Sequence, residues 1–230
     1  MTDTDYDQSR AVALSGVQCT DLVVFENSEY WVVDKPFDLE MDGNRPLSLR
    51  RMLQPLFVKD GVARFCHQLD YATSGLVLVA KSRGAAARAR RVFDDHTITK
   101  WYDALVEGRL SMPVEVSEPI EELPNGSVRI SGRGSSAMTK LQPVEFGEYR
   151  GESTTYIRAY PVTGRRHQIR LHLVHCGHRI VGDMRYGGSS ESYRMMLHAA
   201  VLECPELGLD RVESRREFQL DRVIETFERC

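Results

Sequence analysis

The run Leu76-Val77-Leu78-Val79-Ala80 has no polar position and follows the turn-prone Thr73-Ser74-Gly75, which predicts a buried strand. Upstream, residues 23–33 read as two short strands about the turn residues Asn27-Ser28, and Lys35-Pro36 ends the second. Residues 48–57 place Leu49, Met52, Leu53 and Leu56 on one face behind Ser48 as N-cap, a helix that Pro55 cuts short. Residues 64–69 predict a strand leading into Asp70, and the Ala- and Arg-rich residues 84–95 predict a helix. Residues 101–106 read as a strand, and residues 111–160 alternate short β-like runs with turn signals such as Pro124-Asn125-Gly126, a hairpin-rich stretch. A helix over residues 165–176 stops at Gly177, a strand covers residues 195–204, and a closing helix covers residues 221–229. The polar, acidic residues 1–20 read as a flexible tail. The rest, residues 21–230, is expected to be a single α+β domain on a mixed, largely antiparallel sheet flanked by helices.

Composition narrows the class without deciding it. No apolar run approaches the roughly 20 residues of a membrane helix. The first residues lack the basic and apolar segments of a secretory signal, so the expected location is the cytoplasm, or the nucleus in a cell that has one. The five cysteines are scattered without a C-x-x-C pair, which argues for reduced thiols and against a disulfide framework or a cysteine zinc site. A monomer is expected, because no large apolar stripe is evident.

Charge is distributed unevenly. Residues 1–40 hold nine acids against Arg10 and Lys35. Residues 163–185 hold five arginines (Arg165, Arg166, Arg170, Arg179, Arg185) against Asp183, and residues 81–101 hold six cations against Asp94 and Asp95. Local basic surfaces on a chain of net charge −3 suit a selective polyanion binder, and equally suit solvated helix faces.

Asp70 lies between the predicted strands, where a carboxylate either caps the turn or is held rigidly for chemistry. The string from His67 to Lys81, His-Gln-Leu-Asp-Tyr-Ala-Thr-Ser-Gly-Leu-Val-Leu-Val-Ala-Lys, resembles the central motif of the RluA family of pseudouridine synthases. Thr163-Gly164-Arg165-Arg166-His167-Gln168-Ile169-Arg170-Leu171-His172-Leu173, with Gly177-His178-Arg179-Ile180-Val181-Gly182-Asp183 after it, is similar to the later family motif, and Arg185-Tyr186-Gly187 continues it. Three weaker blocks fall in the family's order: Val32-Val33-Asp34-Lys35-Pro36, the segment from Lys100 to Gly108, and Met196-Leu197-His198-Ala199.

The resemblance implies an RNA pseudouridine synthase that isomerises a specific uridine in structured RNA, tRNA or rRNA, without metal or organic cofactor. It implies Asp70 as the nucleophile, with Arg170 pairing with it through a bidentate fork and Tyr102 stacking on the uracil and aiding loss of its C5 proton. Leu197 would pack against the base, and His67, Gln68, Thr73, Arg165 and Arg166 would line the substrate site. Arg179 and the basic stretch from Arg83 to Arg91 would add to the grip on RNA. The buried face of a stacked uridine is out of reach, so the base would be flipped into the pocket. Gln68 departs from the family's usual Arg two positions before the acid, as in a divergent His-Gln-Leu-Asp branch, and it lacks the charge and reach that fill the space of a flipped base. The small RNA-binding domain that precedes many relatives is not expected from the short acidic start.

Two rival readings come from other classes. His167, His172, His175 and His178 crowd one segment and suggest a zinc hydrolase, although no H-E-x-x-H motif is present. A catalytically silent RNA-binding module with the same fold is the other, drawing on Gln68.

Overall fold

The computed structural model describes residues 16–43, 47–57, 62–215 and 227–229. In chain order its helices are α1 (Cys19–Leu22), α2 (Leu49–Leu53), α3 (Arg83–Asp94) and α4 (Gln168–His175). The strands are β1 (Val23–Glu26), β2 (Tyr30–Lys35), β3 (Arg64–Phe65), β4 (Ser74–Ala80), β5 (Thr99–Glu107), β6 (Val114–Val116) and β7 (Ile120–Glu122). They continue with β8 (Val128–Ile130), β9 (Thr139–Tyr149), β10 (Glu152–Pro161), β11 (Leu197–Cys204), β12 (Leu209–Glu213) and β13 (Phe227–Arg229). Among the described residues, eleven strands form one sheet in the order β1-β2-β4-β11-β5-β10-β9-β13, with β3 on β4, β12 on β11 and β6 on β9. β7 and β8 form a separate hairpin. Within the large sheet β4 and β11 run parallel and the other pairs antiparallel, so the expected α+β class with a largely antiparallel sheet holds.

The apolar run is explained by what covers each face of β4. Alternate side chains of a strand point to opposite faces. Leu76 and Leu78 pack with Ala85, Ala89 and Val92 of α3, while Val77 and Val79 pack with Leu49 and Leu53 of α2. Both helices start on serines: Ser82 accepts the Ala85 N–H at 3.1 Å, and Ser48 that of Arg51 at 3.4 Å. Pro55 turns the end of α2 into a 3₁₀ segment, Gln54–Leu56. A further core joins β5, β9 and β10 to Ile169 and Leu173 of α4.

Three expectations shift. The strand expected over residues 64–69 stops at Phe65, because the chain leaves the sheet there and the His67 ring, not its backbone, meets Leu78. In the segment expected to be a tail, residues 1–15 lie outside the described residues, and α1 forms at its end, anchored by fully buried Leu22. In the segment expected to be a closing helix, Phe227–Arg229 instead pair with Gly147, Phe146 and Glu145 of β9, and residues 221–226 lie outside the described residues. An open sheet edge offers backbone partners that outweigh a weak helix propensity.

Gly75 fixes the one parallel seam of this sheet. It pairs with Ala199 of β11 at φ 111°, and a Cβ there would lie 2.2 Å from the Ala199 carbonyl oxygen. Gly75→Ala is expected to destabilise the fold by about 2–4 kcal/mol through strain and steric overlap, read as a fall in the urea midpoint. A midpoint within about 0.5 kcal/mol of the parent would contradict this packing.

Candidate active site

Asp70 sits in the turn between β3 and β4, and three backbone devices hold that turn. The Thr73 N–H donates to the Asp70 carbonyl at 3.1 Å. The Leu39 N–H donates to the Tyr71 carbonyl at 3.1 Å. Fully buried Lys35 at the end of β2 donates from Nζ to the carbonyls of Pro36 (3.0 Å), Leu39 (2.8 Å) and Tyr71 (3.0 Å). The ammonium is thus matched to oxygens as a buried charge requires, and it ties the loop after β2 to the turn that carries Asp70.

Arg170, in the first turn of α4, holds the carboxylate. Its Nη1 donates to Asp70 Oδ2 at 2.9 Å, while Nε and Nη2 donate to Asp183 Oδ2 and Oδ1, both at 2.7 Å. The bidentate fork expected on Asp70 therefore lies on Asp183, and Asp70 receives a single bond from the remaining edge. Burial disfavours the charged guanidinium, yet the hydrogen bonds and charges of Asp183 and Asp70 outweigh it and raise the Arg170 pKa above its ordinary value. The Tyr186 ring lies under the same guanidinium, 4.9 Å from its central carbon.

The start of α4 explains why the helix is shorter than residues 165–176. Gln168 Oε1 accepts from Thr163 Oγ1 (2.6 Å) and the Arg165 N–H (2.9 Å), folding residues 163–167 into a turn. His167 then takes the left-handed conformation, φ 54°, as N-cap. Its Nδ1 is 2.7 Å from the Tyr186 hydroxyl, and its Nε2 is 3.7 Å from Asp70 Oδ1. Burial pushes the imidazole down to about 4, despite the attraction of Asp70, so the ring is neutral at pH 7. The Nε2 edge of the ring faces Asp70.

Asp70, His167 and Arg170 border a cavity of about 1160 Å³, lined also by Gln68, Thr73, Tyr102 and Leu197. Tyr102 comes from β5 and Leu197 from the start of β11, neighbours in the sheet. Burial and then the Asp70 charge raise the Tyr102 pKa, so its phenol keeps its proton at neutral pH. Gln68 is exposed at the cavity, and Thr73 is buried beneath it.

His67, Arg165 and Arg166 also border the cavity as expected, each with bonds of its own. His67 Nε2 accepts the Leu78 N–H at 3.0 Å, and its ring stacks on Phe93. Arg165 Nε donates to the Ser136 carbonyl at 3.0 Å. Arg166 Nη1 donates to Glu122 (3.0 Å) and the Gly126 carbonyl (2.7 Å), so its charge is committed to the β7–β8 hairpin. Arg179 and the arginines from Arg83 to Arg91 lie outside the cavity lining. Of the four crowded histidines, His178 binds the Glu107 carbonyl and His167 the Tyr186 hydroxyl, while His172 binds Thr139 and the Glu118 carbonyl and His175 lies 3.9 Å from the Glu118 carboxylate. Among the described residues no cluster of three potential metal ligands forms, so the zinc reading has no site.

The sequence pattern of the RNA pseudouridylate synthase family matches residues 29–175. The chain belongs to the RluA family of RNA pseudouridine synthases. This synthase is 34% identical over 206 residues to RNA pseudouridylate synthase domain-containing protein 1 of Bos taurus, covering 80% of this chain and 67% of that one. It is 33% identical over 191 residues to the dual-specificity RNA pseudouridine synthase RluA of Haemophilus ducreyi, covering 78% of this chain and 84% of that one. The solved structure of human RNA pseudouridylate synthase domain containing 1 matches it with a TM-score of 0.75 at 32% identity, covering 90% of this chain and 88% of that one.

Sequence reasoning on this synthase missed the parts played by Asp183 and Tyr186. Both lie in the later motif, yet nothing local distinguishes an acid that grips Arg170 from a surface acid.

The neutral histidines carry a pH signature. Burial, then the charge of Lys100, hold His67 down to about 3, and protonating Nε2 would break its bond from Leu78. The unfolded chain takes up protons on histidine near its ordinary value of about 6.5, whereas the folded chain resists, so stability falls as pH drops from there toward 4. His67→Gln should flatten part of that fall in urea midpoints recorded from pH 7 to 4. A variant with the parent's full pH slope would show that His67 titrates freely.

Proposed function

We propose that this synthase isomerises a uridine of structured RNA, tRNA or rRNA, with Asp70 as the nucleophile. The observation that carries the reading is the Asp70 carboxylate, held by Arg170 at 2.9 Å on the wall of a cavity it shares with Tyr102. The hydrogen bond from Arg170 fixes one oxygen, leaving the other to meet the sugar. The reaction breaks the bond from the anomeric carbon to the uracil nitrogen and forms one to C5. The C5 proton is lost and the nitrogen regains one, so nothing is consumed.

The remaining residues take positioning parts in this proposal. Tyr102 stacks on the flipped uracil, and because its phenol stays protonated it serves as a wall and a hydroxyl donor rather than a resident base. Leu197 packs on the base, and Thr73 supports the turn under Asp70. Exposed Gln68 meets the displaced strand by hydrogen bonds, without the charge an arginine would bring. That substitution is also what favours a second reading, an RNA-binding module that has lost catalysis.

Asp70→Asn and Asp70→Ala should abolish pseudouridine formation, at least 10³-fold or so in single turnovers, while RNA affinity changes by less than about threefold. Mapping pseudouridines in RNA from cells with and without the gene, and with the Asp70→Asn gene, identifies the target. Full isomerisation by both variants would remove Asp70 from the chemistry, and absence of any gene-dependent site would favour the silent module.

A further inference from the structure

The cavity holds two cations to which nothing above gives a task. Three carboxylates border it, and each already has its own partner: Asp70 with Arg170, Glu122 with Arg166, and Asp94 with Arg90 at 3.5 Å. Lys100 and Arg185 also border it, and among the described residues neither has a carboxylate partner. Lys100 reaches in from β5 beside His67, with Nζ 5.2 Å from the centre of the Phe93 ring. Gly164 leaves the space next to it open: a Cβ there would lie 3.7 Å from Nζ, and no side chain fills that place. Arg185 reaches in from the turn after Asp183, close enough to His167 for its charge to disfavour protonation of the ring.

We propose that Lys100 and Arg185 are a two-point phosphate clamp that seats the RNA backbone beside the target nucleotide. This rests on the functional reading above and adds the contacts that deliver the uridine. A half-buried ammonium set against an aromatic ring, with no carboxylate partner among the described residues, has lost water without gaining a counter-ion, and a phosphate oxygen supplies one. Desolvation indeed brings the Lys100 pKa down to about 8, which an incoming anion would reverse. The two cations come from different elements, β5 and the turn after Asp183, and both border the cavity that holds Asp70, so they can hold two phosphates while the base between them turns inward. They supply charge at the cavity that Gln68 does not.

Each cation that contacts a single-stranded phosphate adds about 0.7 to the steepness of log K against log salt. The test measures anisotropy of a labelled oligouridylate of about 16 nucleotides between about 50 and 200 mM salt. Lys100→Gln and Arg185→Gln should each lower the slope by about 0.7, and the double variant by about 1.4. Lys100→Arg should retain it, and so should Arg129→Gln, which removes a charge that Glu121 already neutralises. Slopes unchanged in both glutamine variants would overturn the clamp, as would an equal loss in Arg129→Gln, since the effect would then be general charge. Pseudouridine formation by the parent chain, measured in parallel on RNA from cells lacking the gene, separates the two failures. An active parent whose glutamine variants keep the parent's slope overturns the clamp alone. An inactive parent that shows the expected slopes overturns the catalytic reading and keeps the clamp.

Discussion

The buried guanidinium of Arg170 is the contact on which the site depends. Its fork is closed on Asp183, 2% exposed, which leaves one N–H edge pointing at Asp70. The strong half of the interaction is thus structural, and the weaker half is directed at the Asp70 carboxylate, the proposed nucleophile. Breaking a buried pair by removing one partner strands the other charge and costs about 3–5 kcal/mol, so Asp183 and Arg170 stand or fall together. Asp70, more exposed, gains orientation from them without being locked out of the cavity.

The rest of the fold brings Asp70 to that edge. The turn that carries it is tied by Lys35 to the end of β2 and by Thr73 to the start of β4, and β4 is clamped between two helices. On the other side, α4 begins at a left-handed His167, so that the chain turns sharply and Arg170 faces inward. β11 can run beside β4 only because Gly75 has no side chain, and that seam sets Leu197 next to the turn. The acid and its arginine come from segments a hundred residues apart, brought together by the order of strands rather than by any local motif.

That distance explains what the sequence could and could not reveal. The apolar run of β4, the Ser48 cap of α2 and the Gly177 stop of α4 were legible because they express local rules of periodicity and capping. Asp70, Tyr102 and Arg170 were legible only through the family resemblance, since each alone reads as a turn cap, a strand aromatic or a solvated charge. The partner of the Arg170 fork was not legible, because Asp70 and Asp183 are both acids in quoted motifs and only the fold ranks them. Nor was the neutralisation of Arg166, which depends on Glu122 in a separate hairpin. The strand at Phe227–Arg229 was misread as helix because a sheet edge acts at long range.

The central claim is that Asp183 and Arg170 act as one unit to orient Asp70. A double-mutant cycle on the single-turnover rate of pseudouridine formation tests it directly, with Asp183→Asn, Arg170→Lys and both together, each checked for folding by its urea midpoint. Strong non-additivity is expected: the double variant loses little more than the worse single one. Rate losses that multiply, or a near-normal rate in Asp183→Asn, would contradict it.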